Sequence, residues 1–201
     1  LDPLGEFGSQ LADYDWTCDS RMRLGHSFVY APMSADELGS PLDETDFLRL
    51  SDGTRLNQTG ALFANATVSE VDLFFYGVDF AWKYRGWSFS TEVFFRWLTQ
   101  LRADLDLPHR DIFQRGYYLE GGKFLIPQKL DANLRYSEVS GLFGRSSEYS
   151  AGANFYPLDS FRVKLSFDVT VLDGSPLHNT ASDILVGDDG ILFRSQVQAE
   201  F

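Results

Sequence analysis

Cysteine is nearly absent: Cys18 stands alone, so no internal disulfide framework can hold the fold. Only three histidines occur, and no Cys/His cluster has the spacing of metal ligands, which sets zinc and redox chemistry aside. No apolar run reaches the ~18 residues that a transmembrane helix needs, although 44% of the chain is hydrophobic. Basic residues are scarce as well, 17 Lys and Arg against 29 Asp and Glu, for a net charge of −12. That balance argues against nucleic acid and against an anionic membrane surface as partners. Residues 1–20 lack a basic stretch followed by an apolar one, and the first residue is Leu1. The expectation is either that a leader has been removed or that this is a piece of a longer protein.

Aromatic residues are abundant: 18 Phe, 9 Tyr and 4 Trp make up 15% of a chain whose mean hydropathy is just below zero. Alternation reconciles the two facts, because a barrel strand gives half its residues to a polar lumen and so escapes a hydropathy scan. In the last stretch Ile191, Phe193, Ser195, Val197, Ala199 and Phe201 oppose Leu192, Arg194, Gln196, Gln198 and Glu200. At 87–97, Trp87, Phe89, Thr91, Val93, Phe95 and Trp97 oppose Ser88, Ser90, Glu92, Phe94 and Arg96. At 161–171, Phe161, Val163, Leu165, Phe167, Val169 and Val171 oppose Arg162, Lys164, Ser166, Asp168 and Thr170. A period of two predicts strands, and eight are expected at 21–31, 71–84, 87–102, 113–126, 129–139, 147–157, 160–172 and 190–201. The fold class is all-β, an antiparallel transmembrane β-barrel, with 1–20 an irregular segment or the remnant of a preceding strand.

The connections alternate in length. Arg85-Gly86, Pro127-Gln128 and Leu158-Asp159 read as tight turns, whereas 32–70, 103–112, 140–146 and 173–189 read as long polar loops, 32–70 the longest. Short periplasmic turns and long extracellular loops are the rule for outer-membrane barrels. Trp87 and Trp97 end one apolar face, and a tilted strand rises ~25 Å between them, the height of the band between two aromatic girdles. Trp82, Phe161 and Phe201 are expected in the same girdles. A soluble antiparallel sandwich, which also alternates, is the competing architecture.

Several segments together resemble the C-terminal half of the phosphate-selective porin O and P family, in a divergent branch. They are RLGHSFVY (23–30), RLSDGT with QTGAL (49–62), YGVDFAWKYRGWSFSTEVFFRWL (76–98), GYYLEGGKFLIPQKL (116–130) and EYSAGANFYPLDSFRVKLSFDVTVLDGSP (148–176), with a Phe-terminated last strand. The resemblance implies a 16-stranded trimeric porin of the outer membrane of a Gram-negative-type bacterium, with these strands about half of it. A closed eight-stranded barrel is the alternative, its interior filled with side chains.

The expected lumen carries Lys83, Arg96, Arg135, Arg162, Lys164 and Arg194 against Asp79, Glu92, Glu120, Asp131, Glu148, Asp168 and Glu200, a mixed wall rather than a ladder for anions. Phosphate specificity is therefore not carried over from the family. The pore-lining expectation rests on Lys83, Glu92, Arg96, Asp131, Arg135, Arg162, Lys164, Asp168 and Arg194. His26 falls on the lipid side with Met22, Leu24, Phe28 and Tyr30, while Ser27 points away, so no nucleophile and base are assembled and no enzyme is expected. Loop 32–70 holds Asp36, Glu37, Asp43, Glu44, Asp46, Asp52 and Glu70 against Arg49 and Arg55, without calcium-loop spacing. A solvated acidic loop is the default there, with cation-bridged lipopolysaccharide contact or an inward constriction as alternatives. The expected function is passive diffusion of small hydrophilic solutes or ions, without cofactor, with outer-membrane lipid and lipopolysaccharide as surroundings and a homotrimer as assembly. A structural or adhesive barrel acting through its acidic loops is the second reading.

Overall fold

A computed structural model describes residues 1–36, 41–42, 48–158, 160–175 and 187–200. Eight strands follow one another: β1 (Arg21–Ser34), β2 (Val68–Tyr84), β3 (Trp87–Ala103), β4 (Ile112–Ile126), β5 (Leu130–Gly141), β6 (Gly144–Phe155), β7 (Val163–Asp173) and β8 (Gly190–Ala199). Each pairs antiparallel with the next in a single meander, β1 to β8 in sequence order. The described residues contain no helix. The sheet is not closed, since β1 and β8 pair with a neighbouring strand on one side only. Outside β1, Leu1 and Leu24 exchange backbone hydrogen bonds of 2.8 and 2.9 Å.

Alternation along each strand and an almost unbroken register keep the two faces chemically distinct across the whole sheet. One row reads Leu24, Phe80, Thr91, Leu119, Tyr136, Tyr149, Val171 and Ile191. The row just behind it on the other face reads Arg23, Ala81, Ser90, Glu120, Arg135, Ser150, Thr170 and Leu192. A slip of one residue in any pairing would mix the faces, so the apolar pattern itself fixes the register. The apolar face is bare: Leu119, Leu134, Tyr149, Phe167, Phe193 and Val197 are all exposed.

Turn chemistry separates the expected hairpins from the observed ones. Arg85 and Gly86 both have positive φ, 47° and 80°, as a two-residue hairpin turn that follows the strand twist requires. The expected long loop at 140–146 is instead a tight hairpin, with β5 running to Gly141 and β6 starting at Gly144, so Leu142-Phe143 alone make the turn. Gly144, at φ 129°, supplies the backbone freedom there. The expected tight turn Leu158-Asp159 is a longer connection, because β6 ends at Phe155 and β7 begins only at Val163; Asp159 itself lies outside the described residues. The strict alternation of short and long connections therefore fails at these two points.

Two irregular segments pack on the polar face, one at each end. From the loop end, residues 48–56 bring in Leu48, Leu50 and Leu56, which join Val71, Leu73, Leu98, Leu101 and Ile112 in a buried cluster. At about 1.5–3 kcal/mol for each buried leucine, this burial fixes the loop's position, and the expectation of a solvated loop does not hold for these residues. Glu37, Asp43, Glu44 and Asp46 lie outside the described residues. From the turn end, residues 1–20 bring in Phe7 and Tyr14, both buried, the latter packing edge-on against Phe124, Tyr156 and Phe161. The irregular segment expected at 1–20 is thus irregular, yet integral to the fold.

Candidate functional site: the polar face

Register sets most of the expected lumen residues on one face. Lys83 and Ser88 pair across β2 and β3, Asp79 with Glu92, and Arg96 with Gln114; Glu120 pairs with Arg135 and Asp131 with Asn154; Lys164 pairs with Gln198 and Asp168 with Arg194. By strand parity all belong to the face that carries the two packed segments. Arg162 is exposed and precedes β7, and its backbone carbonyl accepts from the Glu200 N–H at 3.0 Å, which continues the β7–β8 pairing one step beyond Lys164 and Gln198.

The ends of this face are filled rather than open. At the turn end Lys83 is buried, donating to the backbone carbonyl of Gln10 at 3.3 Å, with its ammonium 4.6 Å from the centre of the Phe7 ring. Arg23 lies over the same ring at 5.0 Å, so Phe7 is held between two cations. Asp13, fully buried, accepts from the Thr17 backbone N–H and hydroxyl. The Trp16 ring lies where a side chain at Gly86 would have to go. Asp131 is buried too, accepting from the Asn154 amide at 2.8 Å and the Tyr156 hydroxyl at 2.9 Å. Burial, then the Asp131 carboxylate, pushes the Tyr156 phenol above its usual range. At the loop end the Arg96 guanidinium donates to Gln114 Oε1 and to the backbone carbonyl of Arg49, tying the folded-in loop to β3.

Between the two filled ends runs a belt of paired and unpaired charge. Arg194 meets Asp168 at 2.8 Å and Thr170 at 3.3 Å. Arg135 approaches Glu120 at 3.9 Å and covers the Tyr118 ring at 4.4 Å. Asp79 and Glu92 sit directly opposite each other, and the Asp79 carboxylate fills the place a side chain on Gly25 would occupy. Such a belt can orient water and small polar solutes. The described residues contain no group of three or more His, Cys, Asp or Glu that could hold a metal ion.

The expected girdle residues divide. Trp82 and Trp87 lie on the bare face near the Arg85-Gly86 turn, Trp82 donating to Ser20 at 2.7 Å and Trp87 lying 4.2 Å from the Lys123 ammonium. Trp97 stands at the other end of β3, beside Phe95 and Phe113. Phe161 does not belong with them, because it lies in the β6–β7 connection and packs inward on Tyr14. Phe201 and His178 lie outside the described residues. Residues that alternation could not reveal are Phe7, Asp13, Tyr14 and Tyr156, whose partners are distant in sequence. The one signal for those in the opening segment is the cluster of aromatics Phe7, Tyr14 and Trp16 there.

Comparison with known families, with curated proteins and with solved structures gives no match.

Proposed function

We propose that this sheet forms part of the wall of an outer-membrane β-barrel porin that lets small hydrophilic solutes or ions diffuse passively. The bare apolar face is the observation that carries the reading. Its middle rows, from Leu24 to Ile191 and from Met22 to Phe193, hold no charged side chain across eight strands. Charges on that face stand toward its ends: Lys123 beside Trp87 on the turn side, and Asp72, Arg115, Glu138, Arg145 and Asp173 on the loop side. A lipid-facing band bounded by polar and aromatic residues has this distribution. A soluble sandwich would cover so large an apolar face with a second sheet, and no second sheet is present among the described residues.

On this reading the two packed segments narrow the passage from both sides, and the mixed belt around Glu92, Glu120, Arg135, Asp168 and Arg194 lines what is left open. The resemblance of the quoted segments to the phosphate-selective porins agrees with the reading, including a trimeric assembly. The test is conductance across a planar bilayer after reconstitution of the full chain from detergent. Discrete, ohmic steps support a porin; tight bilayer insertion without current favours a structural or adhesive barrel, and solubility without detergent overturns the membrane reading.

A further inference from the structure

The bare face carries a polar patch near its loop end, adjoining a groove. Near the loop end Glu138 is buried although it belongs to the apolar side, because it accepts from Tyr136 at 2.7 Å and Tyr117 at 3.3 Å and meets Arg145 at 2.7 Å. Arg145 also donates to the Tyr136 hydroxyl at 3.1 Å, while its own side chain stays 64% exposed. In the same row, across Ser140, stands the exposed Arg115, whose one described side-chain bond is to Ser140 at 3.2 Å. Each guanidinium carries five N–H donors in a fixed fork, so both retain donors beyond these bonds.

Directly below this patch lies an apolar groove of about 590 Å³, walled by Phe89, Leu119, Leu134, Tyr136, Tyr149 and Val169. Its floor is low because Gly121 and Ala151 interrupt the row of large side chains, and a side chain added at Gly121 would meet nothing within 4 Å. Tyr136 belongs to both features, so the groove leads straight into the arginine patch.

We propose that this groove and the Arg115–Arg145 pair form a binding site for one molecule of the phosphorylated glycolipid of the outer leaflet, the lipid A part of lipopolysaccharide. Its acyl chains lie in the groove and a phosphate bridges the two arginines. The inference rests on the porin reading, which makes the loop end the outer one. Charge complementarity selects the occupant: the outer row Arg115, Ser140, Arg145 holds two guanidiniums and no carboxylate, while Glu138 and Asp173 lie in the row behind it, in a chain of net charge −12. Arginine forks match phosphate oxygens in pairs. Charged groups beside lipid are costly unless partnered; Glu138 makes its direct ion pair with Arg145, and the side-chain hydrogen bond of Arg115 goes to the neutral Ser140 hydroxyl. An amphiphile with an anionic head and apolar tails matches the patch and the groove in their observed order.

The test is native mass spectrometry of the detergent-purified full chain with lipid A, with dephosphorylated lipid A and with phosphatidylglycerol. The expected result is retention of lipid A at least about tenfold tighter than of either other lipid. R115Q should lower lipid A retention about tenfold, and G121L should lower it by filling the groove while leaving both arginines in place. K123Q, at the opposite end of the same face, should leave retention unchanged. Equal retention of the three lipids, or wild-type retention by both R115Q and G121L, overturns the proposal. A chain that inserts and conducts but shows no phosphate discrimination overturns this inference alone; a chain soluble without detergent overturns the porin reading with it.

Discussion

The Asp13 carboxylate accepts a hydrogen bond of 2.6 Å from the backbone N–H of Gly86, 73 residues away, at the tip of the β2–β3 hairpin. Through this bond and those to Thr17, a fully buried charge pins the opening segment to the sheet. Asp13→Ala leaves the Gly86 and Thr17 donors buried without an acceptor, at an expected cost of about 3 kcal/mol in the attachment of residues 1–20. Limited proteolysis should then cut within 1–20 while the sheet resists, and the conducting steps of a reconstituted channel should grow. Unchanged cleavage would mean that the other contacts, Leu1 with Leu24, Gln10 with Lys83 and the buried Phe7 and Tyr14, hold the segment without this bond.

Leu134 lies on the bare face of β5 and is 68% exposed. In water, Leu134→Arg would be nearly neutral at so exposed a position. In a bilayer it should cost about 2–4 kcal/mol near the midplane, whereas Gln196→Arg on the polar face of β8 should cost little. Urea unfolding of each variant in lipid vesicles measures the difference. Equal penalties would sink the assignment of faces.

The Tyr156 phenol is raised above its usual range chiefly by burial, next by the Asp131 carboxylate. Above the unfolded phenol value of about 10 the unfolded chain loses this proton while the folded chain keeps it, so stability falls as pH rises. Below that value the group contributes no pH dependence. Unfolding midpoints followed from pH 9 to 12 should drop less steeply for Tyr156→Phe than for the wild type. The variant should also be less stable at neutral pH, because buried Asp131 loses a donor.

Selectivity follows from the belt. With Arg194 paired to Asp168 and Glu92 beside Asp79, reversal potentials in a salt gradient should show weak cation preference or none. Micromolar phosphate should not block chloride current. Arg135→Glu, which removes the cation nearest Glu120, should shift the preference clearly toward cations. Strong phosphate block would show that basic groups other than these dominate the passage.

The strands and their facing were legible because a period of two needs no knowledge of the partner. Trp87 through Trp97 reveals its apolar side without reference to β2 or β4, and the register follows once each strand's side is known. Residues 48–56 and 1–20 were not legible, since Leu50, Leu56 and Phe7 find their places through contacts far along the chain and show no repeat. Phe161 continues the alternation of Val163 and Leu165 and so reads as part of a strand, yet β7 stops short of it and its ring follows Tyr14 instead. The Leu142-Phe143 hairpin has a local signal in the glycines at 141 and 144 that bracket it, although 140–146 as a whole reads as a polar loop. Of the site, alternation exposed the charges of the belt, while the tyrosines that hold Asp131 and Glu138 emerged only from the pairing.

The unclosed edge of β8 sets a condition on when this protein can leave water. Its outward N–H and C=O groups are hydrated in solution, but hydrocarbon offers no substitute, and each stranded group there costs several kcal/mol. On the proposed membrane reading the sheet could not enter a bilayer while the edges of β1 and β8 stay unpaired. Pairing of both edges and entry into the bilayer would then be one cooperative event, and anything that delayed that pairing would hold the sheet on the aqueous side.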